Sequence, residues 1–312
     1  MQVRLFQPLL AAQTPDDLDA FVQGLRYPVL ASPKLDGVRA FVRGGALLSR
    51  KLKPIPNELL QRFLPLPEHE GLDGELVAGP PTHKAVFQRS MSAVMRRDAG
   101  FDELPLTFYV FDRHDSDLPF AQRLKGLEQG LGKKARLAAP GVAVQVLKHV
   151  LVKDAAELLH LEAELLELGF EGVMLRDPAG PYKQGRSTVR EGTLLKLKRF
   201  EYDEAQVLEA YEQEANLNEA TKDERGYTKR SSHKANRQGK GTLGGYRVRM
   251  LTGDFKGQEV DVGTGWEDAE RAELWAEWLA TPRQAQRRVM RVKHQLSGAK
   301  DKPRFPVFAG WL

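Results

Sequence analysis

The sequence predicts an α+β domain of about 200 residues followed by a small β-barrel domain. Three observations carry this. Between about residues 27 and 112, short apolar runs alternate with Gly and Pro, the punctuation of strands and turns. A leucine stripe, Leu158, Leu159, Leu161, Leu165, Leu166 and Leu168, recurs at helical spacing among such runs. After residue 200 five or so short strands follow in about 110 residues, a density that suits a small barrel.

Taken in order, Val29–Ala31, Ala40–Val42, Leu72–Val77 and Leu106–Phe111 read as strands, and Val142–Leu147 and Gly172–Leu175 continue the pattern. The leucine helix starts at a capping Asp154 and stops at Gly169, where a left-handed residue is favoured. Sheets mixed with scattered helices define the α+β class. Leu194–Phe200 is expected as the last strand of a first domain over residues 1–199, with a hinge near 199–203. Then come strands at Gln206–Tyr211, Gly245–Leu251 and Glu259–Gly263, a helix over Asp268–Ala280, and strands at Val289–Leu296 and Phe305–Phe308. This is the pattern of an OB-type barrel over 200–312. Trp266, Trp275 and Trp278 are expected in its core or rim.

Composition narrows the chemistry. The 312 residues carry a net charge of +5, which favours an anionic partner. There is no cysteine, so disulfides, thiolate catalysis and cysteine-ligated zinc are excluded. The histidines are scattered without zinc-ligand spacing. No apolar run approaches the ~20 residues that span a bilayer, and Pro8 interrupts the N-terminal apolar stretch where a secretory signal would sit. A monomeric intracellular protein is expected.

Lys34-Leu35-Asp36-Gly37-Val38-Arg39 is the segment with the most chemical content. In extended chain Lys34 and Asp36 share a face. Gly37 permits a close approach, and Arg39 offers a planar charged fork to a phosphate or sugar. Asp73-Gly74-Glu75 puts two carboxylates on one strand face, Glu171 leads a buried strand, and Lys196 and Lys198 share one side of another. Each alone is ordinary. Together they suit a lysine nucleophile attacking a nucleotide phosphate. Such a lysine must be neutral, although a free one titrates near ~10.4; nearby cations and desolvation lower that value. Triphosphate charge calls for Mg²⁺ and basic side chains, and Mg²⁺ takes one or two carboxylates with waters and phosphates.

The set resembles the covalent nucleotidyltransferases. Lys34–Arg39 resembles their motif I, Ser49-Arg50 with Lys53–Asn57 motif Ia, Asp73–Glu75 motif III, Tyr109–Asp112 motif IIIa, Glu171–Arg176 motif IV and Leu195–Lys198 motif V. Tyr182–Thr188, Gly226–Lys234, Gly263–Gly265 and Pro303–Phe308 are similar to the minimal, virus-type ATP-dependent DNA ligases. The resemblance runs from about Gln7 to Trp311 and implies a nucleotidyltransferase (adenylation) domain followed by an OB-fold β-barrel domain. It implies ATP and Mg²⁺ as cofactors and nicked duplex DNA as partner, sealed through a lysyl-AMP and a DNA-adenylate. Lys34 would carry AMP, with Ser32 and Pro33 bordering adenine and Phe111 stacking on it. Arg39 and Glu75 would hold the ribose. Glu171, with Glu75 and Asp36, would organise Mg²⁺, and Lys196 and Lys198 would grip the nucleotide phosphates. Arg50, Arg186 and Ser187, with Arg304, would meet the DNA.

Two departures from the family pattern stand out. Gln7 replaces a frequent lysine, removing one expected phosphate contact. The charged C-terminal motif VI has no counterpart before Trp311-Leu312, so Arg304 or the run Arg287, Arg288, Arg291 is expected to substitute. From Arg225 to Arg249 the chain has eight Lys and Arg and no acid. This excursion, at about 216–245, is expected to be a flexible loop that orders on duplex DNA, with Lys229, Arg230 and Lys234 on phosphates. An mRNA-capping guanylyltransferase, an RNA ligase and a non-enzymatic OB-fold nucleic-acid binder are the rival readings.

Overall fold

The computed structural model describes residues 6–312 except 13, 16, 99, 102–103, 133, 223–227 and 296–301. Arg225 and Tyr227 of the basic segment therefore lie outside the described residues, as does Leu296. The chain divides into two compact units, Met1–Lys198 and Arg199–Leu312.

The first unit runs α1 (Leu18–Gln23), β1 (Val29–Pro33), β2 (Val38–Arg43), β3 (Ala46–Ser49), α2 (Glu58–Phe63), β4 (Leu72–Ala78), α3 (Val86–Met95) and β5 (Leu106–Arg113). It continues with α4 (Phe120–Leu131), β6 (Arg136–Ala139), β7 (Val142–Val146), β8 (Val150–Val152), α5 (Ala155–Glu167), β9 (Val173–Arg176) and β10 (Leu194–Leu197). Two sheets result. One has the order β3-β2-β4-β5-β7-β6, with β5 and β7 parallel; the other is antiparallel, β10-β9-β1-β8.

Each sheet has its own core. Leu60 and Leu64 near α2, Val94 of α3, and Phe120, Leu124 and Leu127 of α4 pack on Val38, Ala40, Val42, Leu76 and Phe108 of the larger sheet. Phe21 and Val22 of α1, with Leu158 and Leu165 of α5, cover Val29, Ala31, Val173, Leu175 and Leu197 of the smaller one. Asp154 caps α5 by accepting from the Glu157 amide at 2.9 Å, and Gly169 beyond it takes a left-handed φ of 94°.

The second unit contains β11 (Glu201–Asn216), β12 (Ala220–Lys222), β13 (Thr228–Arg230), β14 (Arg237–Met250), β15 (Glu259–Val262), α6 (Asp268–Ala280), α7 (Pro282–Ala285), β16 (Val289–Gln295) and β17 (Arg304–Trp311). Its sheet order is β15-β14-β11-β16-β17. Among the described residues no ladder joins the edge strands β15 and β17, so the five strands form an open sheet rather than a closed barrel. The core gathers around buried Tyr246, whose ring lies edge-on to Trp266 at 5.7 Å, Trp311 at 5.8 Å and Trp278 at 6.4 Å.

Several sequence-based expectations change. The strand at 194 stops at Leu197 rather than Phe200. The expected Gln206–Tyr211 and Gly245–Leu251 strands belong to two far longer ones, of 16 and 14 residues, paired antiparallel over most of their length. The described part of the basic excursion is accordingly not an irregular loop. It consists of the far ends of β11 and β14 and the β12–β13 hairpin, pinned by Asn218, which donates to the carbonyls of Ser231 and His233.

Candidate active site

The smaller sheet carries the lysines. Lys196 of β10, Met174 of β9 and Ser32 of β1 stand in one cross-strand row. Two residues further on, Lys34 and Lys198 flank Gly172, whose carbonyl accepts from the Lys34 amide at 2.9 Å. Gly172 has a φ of 144°, and a Cβ there would lie 2.3 Å from the Leu197 carbonyl oxygen. The sequence therefore needs glycine beside Glu171 to bring β10 close.

That closeness places Glu171 between two ammonium groups. Its Oε2 pairs with Nζ of Lys34 and its Oε1 with Nζ of Lys198. The Glu171 and Lys198 side chains are 3% and 6% exposed, while Lys34 keeps 22%. A buried carboxylate needs such partners, and the more open lysine is the one a ligand can reach. Lys196 is half-buried. Burial, and then the charges of Lys34, Arg186 and Arg50, lower its pKa. Arg50 and Arg186, far apart in sequence, thus share one cationic region with Lys34 and Lys196.

The larger sheet supplies the other wall. Arg39 of β2 and Glu75 of β4 are cross-strand partners. Arg39 does not point freely into the pocket. Its fork is engaged by Asp73, Nε to Oδ1 at 3.0 Å and Nη2 to Oδ2 at 2.7 Å. Burial alone would lower the Arg39 pKa, but the Asp73 ion pair overrides it and raises the value. The guanidinium carbon lies 5.3 Å from the Phe111 ring centroid. Phe111 is half-buried against the cluster of Leu35, Val77, Val86 and Leu147. Glu75 is pushed up to about 7, by burial first, against the lowering charges of Lys34 and Arg39.

Behind this wall lies a second ion-pair set that the motif reading missed. Asp112 receives Arg123 through Nε at 2.7 Å and Nη2 at 3.0 Å, and Arg176 through Nη2 at 2.8 Å. The Arg123 and Asp112 side chains are 0% exposed. Tyr182 donates its hydroxyl to Asp73 Oδ2 at 2.8 Å. The sequence signal was present, because Asp112 and Arg176 end the quoted motifs and Asp73 opens another, but the pairing of Asp112 with Arg123 and of Asp73 with Tyr182 is set by tertiary packing.

Lys34, Asp36, Arg39, Glu75, Phe111, Glu171, Lys196, Lys198, Arg50 and Arg186 are thus gathered in the first unit, and buried Ser32 and half-buried Pro33 end β1 just before Lys34. Ser187 corrects its expected place on DNA. It is 1% exposed, and its hydroxyl donates to the Thr188 carbonyl and accepts from the Leu194 amide, both at 3.3 Å. Its role is to hold the loop. The Arg186 guanidinium donates to the Ala11 carbonyl at 2.6 Å, and its backbone bridges to Leu10. In the second unit Lys229, Arg230 and Lys234 are exposed on the hairpin and the turn after it. Arg230 is partly committed there, donating to the Asn218 carbonyl. Arg304 opens β17 with its guanidinium 5.0 Å from the Phe305 ring. Among the described residues no three His, Asp or Glu side chains converge so as to hold a metal ion by themselves, so Glu171, Glu75 and Asp36 do not form a preassembled metal cage.

The candidate active site is thus a reachable lysine paired to a buried glutamate, with Lys196 and Lys198 beside it and an arginine fork on the facing wall. Comparison with known proteins makes this specific. Residues 8–198 match the ATP dependent DNA ligase domain and residues 236–311 the DNA ligase OB-like domain. The chain belongs to the ATP-dependent DNA ligase family. It is 28% identical over 243 residues to a DNA ligase of Haemophilus influenzae, covering 77% of this chain and 74% of that protein. It is 31% identical over 207 residues to a DNA ligase of African swine fever virus, covering 64% and 46%. The solved Chlorella virus DNA ligase–adenylate is 30% identical, with 99% and 98% of the two chains covered and a TM-score of 0.53. A Lig E DNA ligase structure shares the fold at 24% identity, with a TM-score of 0.67 over 98% and 99%. No helix among the described residues is long and apolar enough to cross a membrane.

Proposed function

We propose that Lys34 is the residue this ligase adenylates, and that the adenylyl group then passes to the 5′-phosphate of a nick in duplex DNA. Lys34 Nζ attacks the α-phosphorus of ATP and pyrophosphate leaves. The nick 5′-phosphate displaces the lysine, forming a DNA-adenylate, and the 3′-hydroxyl expels AMP. The observation that carries this reading is the pairing of the accessible Lys34 ammonium with buried Glu171, beside Lys198 and Lys196. Such a preset array holds the nucleophile and meets the triphosphate charge without rearrangement.

The other residues have roles that follow from their places. Arg39, oriented by Asp73, and Glu75 face the ribose, and Phe111 offers its ring to the base. Arg50 and Arg186 take the nick phosphate, and Lys229, Lys234 and Arg304 take duplex phosphates. The donor set fits magnesium when the substrate supplies oxygens, since that ion needs only one or two carboxylates beside phosphates and water. Glu171 and Glu75 would hold it, and it would neutralise charge on the departing pyrophosphate. We infer a monomer working inside the cell, where its DNA and ATP are found.

The test is direct. Protein freed of bound nucleotide is mixed with Mg²⁺ and α-labelled ATP, mapped by mass spectrometry, and chased with nicked duplex. Label on Lys34 that moves to DNA and disappears on sealing supports the reading. Label elsewhere, none, or a preference for GTP overturns it.

A further inference from the structure

Tyr182 has no role in the chemistry described so far, yet its environment is unusually determined. It lies in the segment between β9 and β10. Its hydroxyl donates to Oδ2 of Asp73, the same oxygen that receives Nη2 of Arg39 at 2.7 Å. The Leu9 amide donates to the hydroxyl oxygen at 3.4 Å. Its ring is fixed as well, stacked on Phe6 at 6.4 Å and 16° and edge-on to His114 at 6.1 Å. Asp73 itself is 0% exposed, so no solvent replaces a lost donor.

The geometry points to Tyr182 as a positioning residue for the nucleotide: through Asp73 it sets the angle at which the Arg39 fork meets the ribose. A carboxylate with two oxygens can rotate about its Cβ–Cγ bond, and Arg39 would follow. The Tyr182 donor, on the oxygen that also receives Arg39, fixes that rotation. Burial first, and then the Asp73 charge, hold the phenol well above its usual range, so the group remains a donor at any working pH. The arrangement is like that of an outer partner that orients a metal ligand, whose removal typically changes metal affinity or activity by about 10- to 100-fold.

This rests on the assignment of Arg39 to the ribose, and the experiment separates the two. Single-turnover adenylation of Lys34 is followed against ATP concentration for the wild type, Tyr182→Phe, Arg39→Lys and the double variant. Tyr182→Phe keeps the ring. It is expected to raise the KM for ATP about tenfold while the saturating rate changes less than about threefold. In the Arg39→Lys background the same substitution is expected to add less than about twofold, because the relay has lost its endpoint. An unchanged KM, or a full tenfold effect repeated on Arg39→Lys, overturns the proposal, the second outcome marking a merely structural tyrosine. Normal adenylation by Arg39→Lys alone would instead refute the ribose assignment. Should Tyr182→Phe fold poorly, 3-fluorotyrosine at 182 preserves shape while strengthening the donor, and an ATP KM within experimental error of wild type would then reject the relay.

Discussion

Asp73 and Asp112 stand opposite one another on neighbouring strands, and neither has any exposure to solvent. Two facing buried carboxylates would be prohibitive alone. Arg39 and Tyr182 satisfy one, and Arg123 and Arg176 the other. The wall behind the candidate site is therefore ionic, and its cohesion depends on every partner being present.

Asp112→Ala should accordingly destabilise the protein strongly, by about 3–5 kcal/mol, because two buried guanidinium groups lose their counter-charge. Urea unfolding followed by circular dichroism measures this. A loss below about 1 kcal/mol would show that the ion pairs contribute little.

Glu75 links stability to pH. Its folded pKa of about 7 lies above the ordinary 4.5, so the folded state binds the proton more tightly than the unfolded chain. The corresponding stability is present below about pH 4.5 and is lost as pH rises through about 7. At roughly 1.4 kcal/mol per unit this amounts to about 3 kcal/mol. Glu75→Gln removes the ionisation, so its stability relative to wild type should improve between pH 5 and 8. Parallel unfolding curves at both pH values would refute the linkage.

Lys34→Ala should abolish the adenylated species seen by mass spectrometry while leaving Glu171 paired to Lys198. The variant should still fold and still seal a synthetic DNA-adenylate, which bypasses the first step. Residual adenylate on Lys34→Ala would indicate another nucleophile.

On the hairpin, Lys229 and Lys234 are exposed, and each phosphate contact adds roughly 0.9 to the salt slope of binding. Replacing both with alanine should lower the log–log slope of duplex affinity by about 2. A slope equal to that of the wild type would remove the hairpin from the DNA interface.

Much of this was legible in the residues, for stated reasons. The α5 boundaries followed from Asp154 and Gly169, whose side-chain cap and left-handed backbone are local properties. The lysines and acids of the pocket stood out because their motifs combine charge with glycine, and Gly172 is needed where β10 passes. The helix α4 was hidden by Gly126 and Gly130, which weaken the periodic signal. The length of β11 was hidden because its outer half is exposed and polar, as in Glu212 and Glu214, leaving no alternation to read. Ser187 was expected on DNA beside Arg186, since its burial against the start of β10 is invisible in sequence. The pairings of Tyr182, quoted only within a motif, and of Arg123 escaped because their partners lie 109 and 11 residues off.

The trio of Lys34, Glu171 and Lys198, with Lys196 alongside, also governs what the pocket attracts next. Unloaded, it holds more ammonium groups than carboxylates and draws a polyanion. On the proposed reaction Lys34 surrenders its charge to a phosphoramidate, and the attached phosphate brings a negative one. The surplus vanishes in the adenylation step. On that proposal a second triphosphate would meet an electrically quenched mouth, while the charges of Arg50 and Arg186 would remain for a strand terminus, and loading itself would set the order of arrival.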